Sequence, residues 1–235
     1  MIELWELKGK GGRPYSLFSW RTRMALKHKG LEFASHAVAM SDKAAIAFSG
    51  GKTVPVISDG QDGQTRVVRD SWKIAEYLED RYADKPSLFG GAIGRGVTQA
   101  FNTWVDRALV PAVMPVIVAD VHQRVDPADD AYFRQQFEGF MKCSLEESRA
   151  RRPQALERLA RALEPMQAAL KRQAFVCGTA PAYADYVLFS VFQWMRITSP
   201  QEIFDSSDPL HGWRSRMLDL YDAFARNVPQ AETQA

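Results

Sequence analysis

Cysteine and histidine are scarce in this chain of 235 residues, which holds two of the first and four of the second. Cys143 and Cys177 stand far apart, with no CxxC pair and no histidine at ligand spacing. A disulfide framework and a zinc site are therefore both disfavoured, and no metal site is expected. We expect the two cysteines to be reduced and buried.

Long apolar runs and a dominant charge are also lacking. No stretch of the sequence approaches the roughly 18 apolar residues of a membrane span, and no cleavage-site pattern follows the N-terminal MIELWELKGKGG. We therefore expect a cytoplasmic protein without a membrane partner. Thirty basic against 28 acidic residues leave a net charge of +2. This balance does not indicate a nucleic-acid partner and favours a small-molecule one.

The N-terminal third of the chain alternates between strand and helix patterns. Ile2–Leu7 alternates apolar and polar residues as a strand does, and a turn-rich loop then leads into a helix that should run from Ser16 to Gly30. A second strand near residues 31–40 completes a βαβ unit, whose two strands should be parallel. The pattern continues with an irregular segment, an antiparallel hairpin over residues 53–70 and a helix over residues 71–82.

Two serines open the stretch SLFSWRTRMALKHKG, residues 16–30. Ser16, at the helix start, could cap the helix, act on a ligand, or do both. A hydroxyl oxygen can accept a bond from a backbone amide while its proton is donated elsewhere. Ser19 lies in the first turn, and this stretch alone does not separate the two roles.

Two further places in the same region could meet a ligand. Pro55 stands between two valines, where a trans proline would remove a donor from the third strand. The strand is either an edge strand with an ordinary proline, or the Val54–Pro55 bond is cis and turns the Val54 backbone toward an extended ligand. Asp70 and Ser71 begin the next helix, whose free N–H groups favour a carboxylate, while the aspartate could meet an ammonium group. Ser71 could cap this helix, bind the carboxylate of a ligand, or do both. A short zwitterionic peptide with a central thiol would fit these positions.

The segments SLFSWRTRMALKHKG, KTVPVISDG and VVRDSWKIAEYLEDRYADKPSLFGG resemble the N-terminal thioredoxin-like domain of the glutathione S-transferase superfamily. They are most similar to its bacterial β-etherase and fungal etherase-like branch, with a zeta-class likeness around the N-terminal serine. The resemblance implies glutathione as co-substrate, a cis-proline at Pro55, a helical second domain and a homodimer. It extends in outline over the whole chain and is most specific in its first third.

The resemblance also implies site residues. Ser16 matches the serine that contacts the thiol, and Ser19 matches a less critical neighbour. The other matches are the backbone of Val54 for the glutathione cysteine, the cis-proline Pro55, and Asp70 and Ser71 for the γ-glutamyl end; Lys52 would reach the glycyl carboxylate. The chain has no tyrosine at the end of its first strand and no cysteine near Ser16. The second absence disfavours glutaredoxin-like disulfide chemistry.

The predicted fold class is therefore an α/β thioredoxin-like domain followed by an all-α domain. The expected boundaries are residues 1–86 for glutathione binding, a linker at 87–95, and residues 96–235 for the substrate. Helices are predicted near residues 97–118, 128–150, 153–173, 182–198 and 208–226. Trp104, Met114, Phe192 and Trp194 are predicted core residues, of which one or two could line an apolar pocket.

CGTAPAYADYVLFSVFQW, residues 177–194, predicts a buried helix with a half-built capping box. Ala182 at the N-cap position lacks a hydroxyl, so that Asp185 would bond the N-cap amide alone. Asp185 is therefore predicted to be structural rather than catalytic.

The expected function is a glutathione transferase that activates the thiol for attack on a hydrophobic, aryl-ether-like electrophile. Two alternatives remain open at this stage. One is a zeta-like glutathione-dependent cis/trans isomerase, and the other is a non-catalytic protein of the same fold that carries apolar ligands.

Overall fold

The computed structural model describes residues 1–60 and 64–232. The strands of its N-terminal part are Ile2–Leu7 (β1), Phe33–Val38 (β2), Val56–Asp59 (β3) and Arg66–Arg69 (β4). They form a four-stranded sheet of order β2-β1-β3-β4. Strand β1 pairs in parallel with β2 and antiparallel with β3, and β3 pairs antiparallel with β4. The predicted βαβ unit and hairpin are thus confirmed, although part of the hairpin's turn lies outside the described residues.

Two helices, α1 (Leu17–His28) and α2 (Ser71–Arg81), belong to this part of the chain. Helix α1 follows Ser16 and leads to Gly30, whose φ of 63° lies in the left-handed region that glycine adopts without strain. Trp20 and Met24 on its buried face are fully shielded from solvent. The irregular segment between β2 and β3 contains a 3-10 helix, Ala44–Ser49.

The rest of the chain is helical, with two predicted helices each divided in two. The helices are α3 (Ala92–Trp104), α4 (Val110–His122), α5 (Asp130–Met141), α6 (Leu145–Ala150), α7 (Arg152–Leu170), α8 (Tyr183–Thr198) and α9 (Pro209–Ala223). A π-helical turn, Val105–Leu109, separates α3 from α4 and ends two residues before Pro111, which has no N–H to donate to the helix ladder. Lys142, at φ 57°, ends α5, and a capping box between Ser144 and Glu147 starts α6.

Asp185 in the first turn of α8 has a larger structural role than its sequence pattern indicates. Its carboxylate accepts from the backbone N–H of Ala182 at 3.2 Å, which confirms the half-built capping box. It also accepts from the backbone N–H groups of Val176 at 2.7 Å and Cys177 at 3.1 Å. A fourth bond, at 2.9 Å, comes from the indole N–H of Trp213 on α9. Because Asp185 is fully buried, its side chain holds the preceding loop and α9 against the start of α8.

The prediction of two buried cysteines is wrong. Cys143 is half-buried and Cys177 is exposed, although both are free thiols. Each lies in a connection between helices rather than on a packed helix face, and connections stay near solvent because their backbone polar groups need partners. Across residues 1–60 and 64–232, no helix is long and apolar enough to cross a bilayer.

Arg21 ties α1 to the helical part of the protein. Its side chain is 1% exposed. The guanidinium donates to Asp106 Oδ1 at 2.7 Å, to Asn102 Oδ1 at 3.0 Å and to Ser190 Oγ at 3.2 Å. A buried cation is tolerated when its donors are paired in this way. One α1 residue therefore bonds α3, the π-helical turn and α8 together.

A second connection between the two parts runs through His28 at the end of α1. Its Nε2 lies 3.0 Å from the Ser87 carbonyl oxygen, which can only accept, so Nε2 carries the proton. Its Nδ1 therefore accepts from Tyr186 Oη at 2.5 Å, and Tyr186 Oη accepts in turn from Tyr221 Oη at 2.5 Å. This chain of hydrogen bonds requires the neutral form of the His28 imidazole, because Nδ1 must be free of a proton to accept from Tyr186.

Stability is expected to fall as the pH drops below about 6.5, in part because of His28. Burial, ahead of all other causes, lowers the pKa of His28 from its ordinary value of 6.5. Between that lowered pKa and 6.5 the unfolded chain binds more protons than the folded one, so acid favours unfolding. Thermal midpoints measured across this range should fall less steeply in His28→Gln than in the wild type. Equal slopes for the two proteins would contradict the prediction.

Candidate functional site

The six residues that the sequence singled out line one cavity of about 440 Å³. The cavity lies where the N-terminal ends of α1 and α2 meet the segment that leads into β3, and its volume is typical of small-molecule sites. The structure therefore brings together positions that are far apart in the sequence. They are Ser16, Lys52, Val54, Pro55, Asp70 and Ser71.

Ser16 precedes α1 with an extended backbone, and its hydroxyl makes no capping bond. The capping role considered for it is thus wrong. Within the described part of the chain the hydroxyl has no hydrogen-bond partner at all, although the residue is only 7% exposed and faces the cavity. The hydroxyl can therefore donate to a ligand. Ser19 is fully buried and lies outside the cavity lining, so the structure separates the two serines.

Tyr15, the neighbour of Ser16, offers no competing hydroxyl. It is 4% exposed and does not line the cavity. Burial, followed by the nearby Asp129 carboxylate, raises the pKa of the Tyr15 phenol well above its ordinary value. The group stays neutral at physiological pH, and Ser16 supplies the hydroxyl that lines the cavity at the start of α1.

The Val54–Pro55 peptide bond is cis, as the resemblance implies. Strand β3 begins only at Val56, so the proline does not interrupt the ladder of the sheet. The Pro55 carbonyl oxygen accepts from the backbone N–H of Asp70 at 3.2 Å. This bond places the Val54 segment directly beside the start of α2.

Asp70, and not Ser71, caps α2. Its Oδ1 accepts from the backbone N–H groups of Trp72 at 3.0 Å and Lys73 at 3.1 Å. The backbone of Asp70 has a φ of 76°, a strained value for a residue with a side chain. Such strain persists where the surrounding bonds determine the conformation, and it is common at binding sites. Ser71 is the first residue of α2, and its carbonyl oxygen accepts from Tyr183 Oη at 2.8 Å.

The other side of the cavity is largely apolar. Part of this wall comes from α5. The sequence does not identify α5 as part of the site, because a helical pattern alone does not show which helix packs near the sheet. Within residues 1–60 and 64–232, the lining of this cavity does not include the four residues that the sequence suggested for an apolar pocket: Trp104, Met114, Phe192 and Trp194. The apolar and aromatic residues in the lining are Leu7, Phe18, Val38, Ala39, Met40, Ile46, Tyr132 and Phe137, with Asp42, Lys43, Thr53 and Gln136 between them.

Asp129, just before α5, fixes the loop that forms this wall. Its carboxylate is fully buried and accepts from the backbone N–H groups of Met40 at 2.6 Å and Ser41 at 2.8 Å. It also accepts from the Ser41 hydroxyl at 2.6 Å. A buried carboxylate with this many donors holds residues 40 and 41 in one position against the helical part. Asp129 carries no motif that would have identified it from the sequence.

Asp129→Ala is expected to lower the free energy of unfolding by about 2 to 3 kcal/mol, because it removes a buried carboxylate that accepts three hydrogen bonds from residues 40 and 41. It should also change the shape of the cavity's apolar side. Urea unfolding measures the first effect. Asp126→Ala is a matched control, because Asp126 caps the adjoining short helix through one bond to the Ala128 N–H at 3.1 Å and should cost only about 1 kcal/mol. Equal losses in the two variants would contradict the role given to Asp129.

Comparison with known proteins identifies the class to which this fold and cavity belong. Residues 15–81 match the family described as glutathione S-transferase, N-terminal domain. Residues 96–224 match the family described as glutathione S-transferase, C-terminal domain, and this second match alone spans more than half of the chain. The chain belongs to the glutathione S-transferase family.

Solved structures agree with this assignment at the level of the fold. Glutathione transferase GSTFuA3 from Phanerochaete chrysosporium is 24% identical with a TM-score of 0.82, and the match covers 100% of this chain and 98% of that one. A glutathione S-transferase of Ceriporiopsis subvermispora in complex with glutathione is 21% identical with a TM-score of 0.80, over 98% and 99% of the two chains. A theta-class enzyme from Xanthomonas axonopodis pv. citri with glutathione bound is 22% identical, with a TM-score of 0.68 over 99% of both chains. The predicted fold class, thioredoxin-like followed by all-α, is confirmed.

Proposed function

We propose that this protein is a glutathione transferase whose Ser16 hydroxyl stabilises the glutathione thiolate. The observation that carries the proposal is the placement of Ser16. Its hydroxyl has no partner within residues 1–60 and 64–232, and it faces the same cavity as Val54, Asp70 and Ser71. A bound thiol peptide would give that hydroxyl an acceptor.

The residues around the cavity fit the groups of glutathione. Val54 lies outside β3, so its backbone N–H and C=O are not used by the sheet ladder and can pair with an extended peptide. Asp70 uses only Oδ1 for capping, which leaves Oδ2 for an ammonium group. The start of α2 at Ser71 suits the neighbouring carboxylate, and the exposed Lys52 at the cavity edge suits the glycyl carboxylate.

The free energy by which Ser16 must stabilise the glutathione thiolate is small. Bound glutathione supplies a cysteine thiol with an ordinary pKa of about 8.5, whose thiolate is the nucleophile. A hydrogen bond to a charged group contributes about 1.5 to 3 kcal/mol, equivalent to one or two pKa units. The N-terminal end of α1 adds about 0.3 to 1 kcal/mol. One hydroxyl and one helix end together bring the thiol close to neutral pH.

The apolar wall supports a hydrophobic electrophile, and its aromatic side chains, Phe18, Tyr132 and Phe137, support an aryl ether. The resemblance of the N-terminal motifs to the etherase-like branch points the same way. We further propose the domain division 1–86, 87–95 and 96–235, a homodimer and a cytoplasmic location. Light scattering on the purified protein would test the dimer.

Glutathione binding and turnover test the proposal together. Calorimetry should give binding of glutathione, and a panel of aryl ethers should be cleaved with one glutathione consumed per product. Turnover of unsaturated acids without consumption of glutathione would indicate the zeta-like isomerase instead. Binding of apolar ligands with no turnover would indicate the carrier. A protein that fails to bind glutathione would contradict all glutathione-dependent functions.

A further inference from the structure

A second cavity, of about 290 Å³, lies in the helical part and shares no lining residue with the first. It is formed by the C-terminal end of α8, the first half of α9 and the segments around residues 199–203 and 226–230. Three arginines line it: Arg196 on α8, Arg214 on α9 and Arg226 after α9. We call it the arginine pocket. Its volume lies near the lower limit for small-molecule sites.

The positive charges of the arginine pocket exceed the negative charges that face them. Arg214 is paired with Glu202, through bonds of 3.0 and 2.7 Å to its two carboxylate oxygens. Arg226 Nε is bonded to Asp219 at 2.6 Å, and Asp219 is exposed and does not line the pocket. Arg196 has no carboxylate partner among residues 1–60 and 64–232. One guanidinium charge is therefore uncompensated.

Arg196 is half-buried, and its bonds go to backbone carbonyls. It donates to the Val228 carbonyl at 2.8 Å and to the Arg226 carbonyl at 3.3 Å. A guanidinium has five N–H donors, so these bonds leave donors unused. Burial, followed by the neighbouring charges of Arg226 and Arg214, lowers the pKa of Arg196. The charged form is thus held in unfavourable surroundings, which an anion in the pocket would improve.

We propose that the arginine pocket binds a small anion that carries phosphate or carboxylate groups. Guanidinium groups bind both kinds of oxyanion through paired N–H···O bonds. The N–H donors that remain come from different elements, with Arg196 on α8 and Arg226 in the segment after α9. An anion with several oxygens can reach both of them. The guanidinium of Arg196 also holds residues 226–228 against α8 through its bonds to the backbone carbonyls of Arg226 and Val228. The Arg196 side chain therefore has a structural role in addition to its proposed role in anion binding.

The variant Ser215→Asp tests the proposal without removing an arginine. Ser215 lines the pocket, and its hydroxyl accepts from Arg226 Nη2 at 3.1 Å. A carboxylate there would occupy the place of the anion and pair with Arg226. We therefore expect binding to weaken about tenfold to a hundredfold, while the thermal midpoint stays level or rises.

The affinity of the arginine pocket is measured by calorimetry at constant ionic strength, with sodium pyrophosphate and sodium citrate as separate probes. The wild type should bind at least one of them with one site per chain, and the preferred probe identifies phosphate or carboxylate chemistry. Arg196→Met should weaken binding as Ser215→Asp does. Arg158→Met, which removes an exposed arginine of α7, should leave the affinity unchanged. Absence of binding at millimolar probe, or equal affinity in wild type and Ser215→Asp, would overturn the proposal.

Discussion

Ser16→Ala should raise the apparent pKa of the glutathione thiol in the complex by about one unit or more. The variant removes the hydroxyl that faces the cavity and has no partner in the described chain. Since that hydroxyl does not cap α1, the loss should leave the helix and the stability of the protein almost unchanged. At pH values below the thiol pKa, the thiolate fraction and kcat/KM should both fall by about tenfold.

Ultraviolet absorbance of the thiolate, followed as a function of pH, measures this shift directly. Calorimetry should show that glutathione still binds, because Val54, Asp70 and Ser71 are intact. Ser19→Ala is the matched control: Ser19 is a fully buried serine of the same helix that does not line the cavity. A thiol pKa that is the same in wild type and Ser16→Ala would remove Ser16 from the reaction, while an effect limited to affinity would make it a binding residue only.

Asp185→Ala should strongly destabilise the helical part of the protein. Three backbone N–H groups and the Trp213 indole lose their common acceptor. A buried donor without a partner costs about 1 to 3 kcal/mol, and partial access to water at the exposed loop reduces the total. We expect a loss of about 4 kcal/mol or more, a large share of the stability of an ordinary domain.

Urea unfolding measures this loss of free energy, and Asp208→Ala is the reference variant with which the loss is compared. Asp208 caps α9 through a bond to the Leu210 N–H at 2.8 Å and accepts a second bond from Gln167 Nε2 at 2.8 Å, so its removal should cost about 1 to 2 kcal/mol. Where Asp185→Ala does not fold, Asp185→Asn gives the comparison, since its amide keeps one acceptor and should have an intermediate stability. If the asparagine variant were as stable as the wild type, the network around Asp185 would have little energetic weight.

Local patterns explain why so much of the N-terminal part was predictable. Three patterns each span only a few residues: the apolar–polar alternation of Ile2–Leu7, the glycine at Gly30 and the proline before Val56. In the structure β1 covers Ile2–Leu7, α1 ends shortly before Gly30, and β3 begins at Val56. The resemblance added the cis bond at Pro55. The capping of α2 was less well predicted, because Asp70 and Ser71 are both good caps and only the backbone conformation decides between them.

Contacts between distant segments account for what the sequence did not predict. The Asp129 carboxylate accepts from the backbone N–H groups of residues 40 and 41, and the sequence does not mark these partners because almost every residue carries a backbone N–H. The face of α5 that contributes Tyr132 and Phe137 to the cavity depends on how the helical part lies against the sheet. The helix predicted over residues 128–150 divides where Ser144 and Glu147 form a capping-box pair, a local pattern that the sequence does contain.

Helix α8 determines how far apart the two ends of the candidate glutathione site lie. Tyr183, Tyr186 and Ser190 are spaced so that they share one face of this helix. Tyr183 bonds the first residue of α2, while Tyr186 and Ser190 bond His28 and Arg21 of α1. Helix α1, along its length, and the first residue of α2 are thus bonded to the same helix of the other part of the protein. A shift of α8 relative to the sheet would change the distance between α1 and the start of α2. In the proposed binding mode it would thereby change the separation between the thiol and γ-glutamyl ends of glutathione.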